Sequence, residues 1–201
     1  PSDGLSLSRT RDGGDTDQSG VDFVRAEENT PGAPNPFVEP VECVPGAFTI
    51  KLNELMANPD GSDGGFEWIE LYNPSSSDTV ELGGWTITWN TGLDEDGRGT
   101  GGGEVTFGAG VLLEPEGFLL IGDVDVEGAD IVTSINMGNA GSNADRVQLV
   151  DCDGAVQDTV VYGPSNDGED DDQFVDDLGE VATSLAPKPS DGTALARVRD
   201  G

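Results

Sequence analysis

Hydrophobic and polar residues alternate along the chain in short runs from Ala47 onward, and turn-forming residues separate the runs. An alternation with a period of two is typical of half-buried β-strands. The runs read AFTIKLNEL, FEWIELYN, WTITWN, EVTF, GFLLIGDV, DIVTSI, DRVQLVD, AVQDTVVYG and TALARVR. Their number and spacing predict an all-β sandwich, and the Asp153-Gly154 pair predicts a tight hairpin turn.

The tryptophans fit the core of such a sandwich. Trp85, Ile87 and Trp89 alternate along one run, so they share one face and are either all buried or all exposed. We expect Trp68 and Trp85 to fill the core. Exposed tryptophans would instead offer a stacking surface for sugars.

Residues 1–45 differ from the rest because they are rich in Pro and Gly and have few periodic apolar positions, which predicts an extended N-terminal arm. Residues 1–13 read PSDGLSLSRTRDG and residues 189–201 read PSDGTALARVRDG, so nine of thirteen positions agree at an offset of 188. The agreement includes an interior Leu and two Arg positions, which a shared turn composition does not explain. The chain therefore contains one closing strand twice.

Acidic residues dominate the charge, with 40 Asp and Glu against 9 Lys and Arg and a net charge of −31. Nucleic acid and anionic membranes are excluded as general partners, because binding either one requires clustered basic residues. We also expect no membrane insertion, since no run of about eighteen apolar residues exists. Such an acidic, lysine-poor chain is expected where salt screens its self-repulsion.

The sequence offers little for catalysis, and we expect a protein that is not an enzyme. It contains no His, and no Ser or Cys lies in a recognisable nucleophile motif. A zinc site is excluded on the same ground. Glu54, Glu67 and Glu70 are the candidate acid and base residues, but their places beside predicted strands favour structural roles.

Closely spaced carboxylates make calcium the candidate ion, because calcium prefers hard oxygen ligands. The candidate ligands are Asp94, Asp96, Asp170 and Asp172. No segment matches an EF-hand loop, and solvated acidic loops are the alternative interpretation.

Cys43 and Cys152 are the only cysteines, and we expect them to form a disulfide. Such a bond would close a loop of about a hundred residues and stabilise the fold by about 3 to 5 kcal/mol in the chain-entropy model. Disulfides persist in oxidising compartments, so the pair favours an extracellular protein.

One family resemblance rests on Asn53-Glu54, the block EWIELYN at 67–73, and Leu82 with Gly84-Trp85. These residues resemble the opening of bacterial and archaeal lamin tail domains, and GSNADRVQLVDCDGAVQDTVVYG and the terminal ALAR are similar to later parts. The resemblance implies an immunoglobulin-like β-sandwich over residues 46–201. It also implies that residues 1–45 hold the closing strand and tail of another copy, so the chain is expected to stop within its own domain's ending.

From these observations we expect an extracellular or cell-surface structural or interaction protein, a subunit or repeat of a head-to-tail filament, sheath or array joined through the N-terminal arm. The expected partners are copies of the same chain. The residues expected to carry assembly are Leu5, Leu7, Arg9, Arg11, Asp22, Phe23, Val24, Arg197 and Arg199. Asp22-Phe23-Val24 and the following TPGAPN are expected to pack against a sandwich of this chain or its neighbour. The alternative is a calcium- or glycan-binding accessory module of a larger secreted enzyme or adhesin.

Overall fold

A computed structural model of the chain describes residues 6–9, 23–26, 30–33, 50–61, 63–90, 92–93, 99–100, 102–167 and 173–200. Every regular element in these ranges is a β-strand. The same ranges contain no helix of the length and hydrophobicity needed to cross a membrane.

The strands are short, as the spacing of turn-forming residues predicts. Their bounds are β1 (Ser6–Arg9), β2 (Phe23–Ala26), β3 (Lys51–Met56), β4 (Trp68–Tyr72), β5 (Val80–Glu81), β6 (Thr86–Asn90), β7 (Gly92–Leu93), β8 (Gly99–Thr100), β9 (Gly103–Thr106), β10 (Leu112–Leu113), β11 (Phe118–Gly122), β12 (Ile131–Val132), β13 (Asp145–Val150), β14 (Val156–Tyr162) and β15 (Leu195–Ala196).

Two larger sheets build the body of the domain. One has the strand order β12-β11-β4-β3-β15 and the other has the order β14-β13-β6-β9. Antiparallel pairing prevails in both, and β12 alone joins its neighbour β11 in parallel among the described pairs. The inner faces enclose one large apolar core. The all-β class and the immunoglobulin-like sandwich predicted from the sequence are confirmed.

The core follows the strand alternation. Trp85, Ile87 and Trp89 are all buried, so the three residues predicted to share a face do so, and that face points inward. Trp68 does not point inward, and the expectation that it fills the core is wrong. On β4, Ile69 occupies an inward position, and the period of two therefore places the partly exposed Trp68 on the outer face.

The hairpin between β13 and β14 is one residue longer than a two-residue Asp-Gly turn. The Asp151 N–H donates to the Ala155 carbonyl at 2.9 Å, and the Gly154 N–H donates back to the Asp151 carbonyl at 2.9 Å. Gly154 has φ 81°, so it is the left-handed residue that follows a type I turn in a three-residue loop. The loop is therefore Cys152-Asp153-Gly154.

Candidate functional site

The second copy of the repeated segment closes the five-stranded sheet. Within it, β15 pairs antiparallel with β3 and places Leu195 opposite Leu55. The Arg197 N–H continues this pairing by donating to the Asn53 carbonyl at 3.0 Å. Leu195 is partly buried and packs against the core. A very short strand thus completes the edge of the sandwich.

A buried ion cluster centred on Asp158 fastens this strand. Asp158 lies on β14 in the opposite sheet, and its side chain is 2% exposed. Its carboxylate accepts the Leu52 N–H at 2.7 Å, the Lys51 ammonium at 3.5 Å and the Arg197 guanidinium. The Arg197 Nε also donates to the Leu52 carbonyl at 2.7 Å. A buried carboxylate requires such partners. Asp158 therefore links β14 of one sheet to β3 of the other and to Arg197, which directly follows β15.

A bulge in β3 provides a further contact to the segment that follows β15. The register with β4 shifts between Leu52 and Glu54, which leaves Asn53 as an extra residue. The Asn53 amide donates to Glu70 Oε1 at 2.9 Å and to Asp200 Oδ1 at 3.3 Å. The bulge therefore adds a second side-chain link between β3 and the end of the chain.

Glu54 and Glu70 are cross-strand partners on β3 and β4. Partial burial, followed by repulsion from Glu70 and Asp200, raises the pKa of Glu54. Neither glutamate lines the groove beside β15. They lie opposite each other on one face of the five-stranded sheet.

An open groove of about 780 Å³ runs between β15 and the segment at residues 184–186. That segment is held along β14, because the Ala186 N–H donates to the Val161 carbonyl at 2.9 Å. Apolar side chains line the groove, among them those of Leu52, Leu55 and Leu185. The lining also includes the polar residues Asn53, Thr159 and Ser184, and Arg197 and Arg199 lie on its β15 side. The groove is therefore mixed in polarity, with two arginines at one edge.

The first copy of the repeated segment has a different partner. There, β1 pairs antiparallel with β2 in a separate two-stranded sheet. The Arg9 guanidinium lies 4.5 Å from the centroid of the Phe23 ring, and Leu7 is 68% exposed. Val24 belongs to β2 and lies opposite Ser8. A short turn follows at residues 30–33, where the Ala33 N–H donates to the Thr30 carbonyl at 3.1 Å.

Comparison with known families gives this architecture its identity. Residues 45–164, more than half of the chain, match the family model for the Lamin Tail Domain. The chain belongs to the lamin tail domain family. This family is an immunoglobulin-like, non-enzymatic interaction or structural module. No curated protein matches the chain significantly. Asp158 lies within the matched range of the lamin tail domain, whereas Arg197 lies beyond it.

The assembly residues predicted from the sequence are placed in part. Leu7, Arg9, Phe23 and Val24 lie on the β1–β2 pair, so they share one small sheet. Arg199 is exposed beside the groove. Leu5, Arg11 and Asp22 lie outside the described residues. Arg197, also expected to carry assembly, forms an ion pair with Asp158 of its own chain.

The predicted calcium ligands Asp94, Asp96, Asp170 and Asp172 all lie outside the described residues, so this site stays a prediction. Within the described ranges, no group of three or more His, Cys, Asp or Glu residues is placed to hold a metal. Asp123 is buried but accepts backbone N–H groups, from Val124 at 2.6 Å and from Gly65 at 3.3 Å. It therefore organises loops of the lamin tail domain.

The predicted disulfide also stays a prediction, because Cys43 lies outside the described residues. Cys152 is partly buried against the core, and no cysteine in the described ranges is free. Its position in the hairpin loop is crowded, since a Cβ at Gly84 would lie 3.0 Å from the Cys152 Cβ.

Two buried carboxylates of the lamin tail domain, Asp158 and Glu67, were not predicted to be buried, although Glu67 was a candidate acid or base residue. Asp158 alternates with Val156 and Val160 in the run AVQDTVVYG, and this single acid at an apolar parity was the available signal. Glu67 is 1% exposed, and its Oε1 accepts the Met137 N–H at 3.0 Å. Burial raises the pKa of Glu67 to about 8 despite that hydrogen bond, with a further contribution from the Asp63 and Asp123 carboxylates.

Proposed function

We propose that this lamin tail domain chain is a non-catalytic extracellular structural protein whose copies join head to tail through the N-terminal arm. One observation carries the proposal: the closing strand occurs twice, and the copy that closes the sandwich has an open groove beside it. The arm supplies a strand pair, and the sandwich supplies an unfilled edge. Each copy therefore carries two different and complementary surfaces.

The geometry of such a contact favours an open assembly. A contact between two different surfaces is heterologous, and it grows into a filament whenever its rotation does not close a ring. Strand addition to a sheet edge supplies directed main-chain hydrogen bonds, which set the orientation of successive subunits. Filament, sheath and surface array are the forms that this mode of growth produces.

The composition supports an extracellular setting. The chain has a net charge of −31 and only two lysines, Lys51 and Lys188, so salt must screen its self-repulsion for copies to approach. The predicted bond between Cys43 and Cys152 would persist in an oxidising compartment. Both features fit an acidic protein exposed to saline surroundings.

The test compares the full chain with a deletion of residues 1–40 by multi-angle light scattering across a concentration series in high salt. We expect the full chain to form species of rising mass and the deletion to remain monomeric with an unchanged strand signal. Excess peptide of residues 1–40, added in trans, should shorten the assemblies by filling grooves. A full chain that stays monomeric at every concentration, or a deletion that assembles equally well, would overturn the proposal.

The second candidate is a glycan-binding module, and three aromatic rings that are exposed or partly exposed on the outer sheet face favour it. Tyr72 on β4 and Phe118 on β11 are cross-strand partners, and their ring centroids lie 4.7 Å apart at an interplanar angle of 34°. Phe118 is 48% exposed, and Trp68 lies on the same face of β4. Exposed apolar surface of this kind can stack against sugar rings.

Affinity electrophoresis in gels containing soluble polysaccharides tests this candidate. A glycan-binding face predicts retardation that Phe118→Ala weakens and that Phe66→Ala leaves unchanged, since Phe66 is equally exposed but does not pair with Tyr72. Equal mobility with and without every polysaccharide would remove the candidate.

A further inference from the structure

We propose that β2 of one copy leaves β1 and adds to the free edge of β15 in a second copy. There it pairs with β15 in the register that it has with β1 in the isolated chain. The proposal rests on the head-to-tail function above and names its interface. The ligand of the groove is thus a second copy of this chain, presented as an extended strand around Phe23–Ala26.

The repeated sequence supplies the template for this pairing. At the offset of 188, Leu7 corresponds to Leu195 and Arg9 corresponds to Arg197. Beside β1, Arg9 lies opposite Phe23 and Ser8 lies opposite Val24. The same register at β15 places the residue pairs Leu195 with Arg25, Ala196 with Val24, and Arg197 with Phe23. The chain therefore already contains one example of the contact that it would make with its neighbour.

The hydrogen-bonding groups of β15 are oriented for this addition. Arg197 donates its N–H to Asn53 on β3, and neighbouring residues of a strand direct their main-chain groups to opposite edges. The N–H and carbonyl of Ala196 therefore point away from β3. In the part of the chain that the structure describes, β15 ends its sheet and no strand pairs with that edge.

The groove also fits the side chains that β2 would bring. Opposing residues of an antiparallel pair lie on the same sheet face, so a Phe23 opposite Arg197 shares the face on which Leu195 packs against the core. That face opens into the groove lined by Leu52 and Leu55. The groove is open, and its volume of about 780 Å³ leaves room for an aromatic side chain. Phe23 would keep an arginine neighbour, as it has with Arg9.

Charge favours the same partner. The segment that contains β2 reads VDFVRAEEN, with Asp22 before the strand and Glu27 and Glu28 after it. The β15 side of the groove carries Arg199, which is exposed, and Arg197, whose charge is already paired with Asp158. Opposite charges at the edge of an interface speed association and select orientation. A basic strand would not gain this attraction.

Exchange of β1 for β15 increases apolar burial. In the isolated chain Leu7 is 68% exposed and Phe23 is only partly buried, so the β1–β2 pair covers little apolar surface. Beside β15, the same strand would cover the groove. β2 has four paired positions beside β1 and three in the register given above beside β15, so main-chain pairing does not favour the exchange and the added apolar burial has to drive it.

Engineered disulfides in the 201-residue chain test the register. Val24→Cys with Ala196→Cys places thiols on directly opposing residues, whereas Val24→Cys with Val198→Cys shifts one thiol by two positions. Diagonal neighbours lie about 7–8 Å apart, beyond the usual disulfide reach. We expect mild oxidation to convert the first variant to reducible dimers and longer multimers at least about tenfold more than the second. Wild-type protein, oxidised in parallel, shows the background from Cys43 and Cys152.

A locked strand pair provides the complementary measurement. Ser8→Cys with Val24→Cys joins directly opposing residues of β1 and β2 and should hold the oxidised chain monomeric in light scattering until reductant releases it. Equal cross-linking of the two pairs, or full assembly of the locked chain, would overturn the strand exchange. Assembly that depends on residues 1–40 without register-specific cross-links would refute this interface while leaving the head-to-tail function standing. Absence of any assembly would refute both.

Discussion

Replacing Arg197 by Ala isolates the contribution of the buried ion cluster that closes the sandwich. The variant removes one charged partner from Asp158, whose side chain is 2% exposed, while Arg197 itself is 32% exposed. It also removes the hydrogen bond from Nε to the Leu52 carbonyl. Asp158 would retain the Leu52 N–H and the Lys51 ammonium. The carboxylate would therefore be weakened in its pairing but not stripped of partners.

The expected cost follows from these contacts. A hydrogen bond to a charged group contributes about 1.5–3 kcal/mol and a neutral one about 1 kcal/mol. Solvent reaches about one third of the Arg197 side chain, which screens part of the attraction. We therefore expect a loss of about 3 kcal/mol, which is below the upper range for breaking a fully buried pair.

The assay is equilibrium denaturation in urea, with the midpoint and the slope fitted separately. Arg199→Ala is the matched control, because it changes the net charge equally and lies two residues further along the same exposed segment. We expect that control to shift stability by less than about 0.5 kcal/mol. The difference in unfolding free energy between the Arg197→Ala and Arg199→Ala variants should persist in high salt, since buried pairs are poorly screened.

A double-mutant cycle completes the measurement. Arg197→Ala combined with Asp158→Asn should cost less than the sum of the single changes, by about 1–2 kcal/mol, because the two residues share one contact. If Arg197→Ala were as stable as Arg199→Ala, or if the cycle were additive, the view that Asp158 fastens the closing strand would be refuted.

Three further outcomes are expected. Burial raises the pKa of Glu67 from 4.5 to about 8, so the stabilisation of the fold by the protonated side chain is fully present below pH 4.5 and is lost as pH rises through 8. Glu67→Gln should flatten this fall, worth roughly 5 kcal/mol, in melts recorded from pH 4 to 9. Gly102→Ala should strongly lower the melting temperature. Gly102 has φ 78°, and a Cβ at this position would lie 2.0 Å from the main-chain oxygen of Trp89. Gly128→Ala, with similar φ 80° and open space, should cost only about 1 kcal/mol in the same melts. Calorimetry with calcium should give saturable heat that Asp94→Asn with Asp96→Asn diminishes, and a flat titration of the wild-type chain would remove calcium as a ligand.

Strand identity was readable from the sequence because alternation is a local property. Trp85, Ile87 and Trp89 share a face whatever the rest of the chain does, since side chains on a strand alternate. Applied to β4, the same rule places the neighbouring residues Trp68 and Ile69 on opposite faces of the sheet. The expectation that Trp68 fills the core failed because Ile69 is the residue of this pair that points inward.

The candidate site was only partly readable. The sequence repeat identified the closing strand and its second copy, including Leu195 and Arg197. It did not show that Arg197 binds Asp158, because that contact joins residues 39 positions apart in different sheets. Asp158 looked like one acidic residue among 40, and burial is what distinguishes it.

The sequence by itself determined the strand pattern, the acidic surface and the duplication of the closing strand, since each depends on residue order or composition alone. The tertiary structure decided which edge that strand pairs with, where it leaves a groove, and which carboxylate is buried behind it. These are consequences of register between distant strands. Physically, burial and edge exposure are properties of the packed sheets, so no local segment contains them.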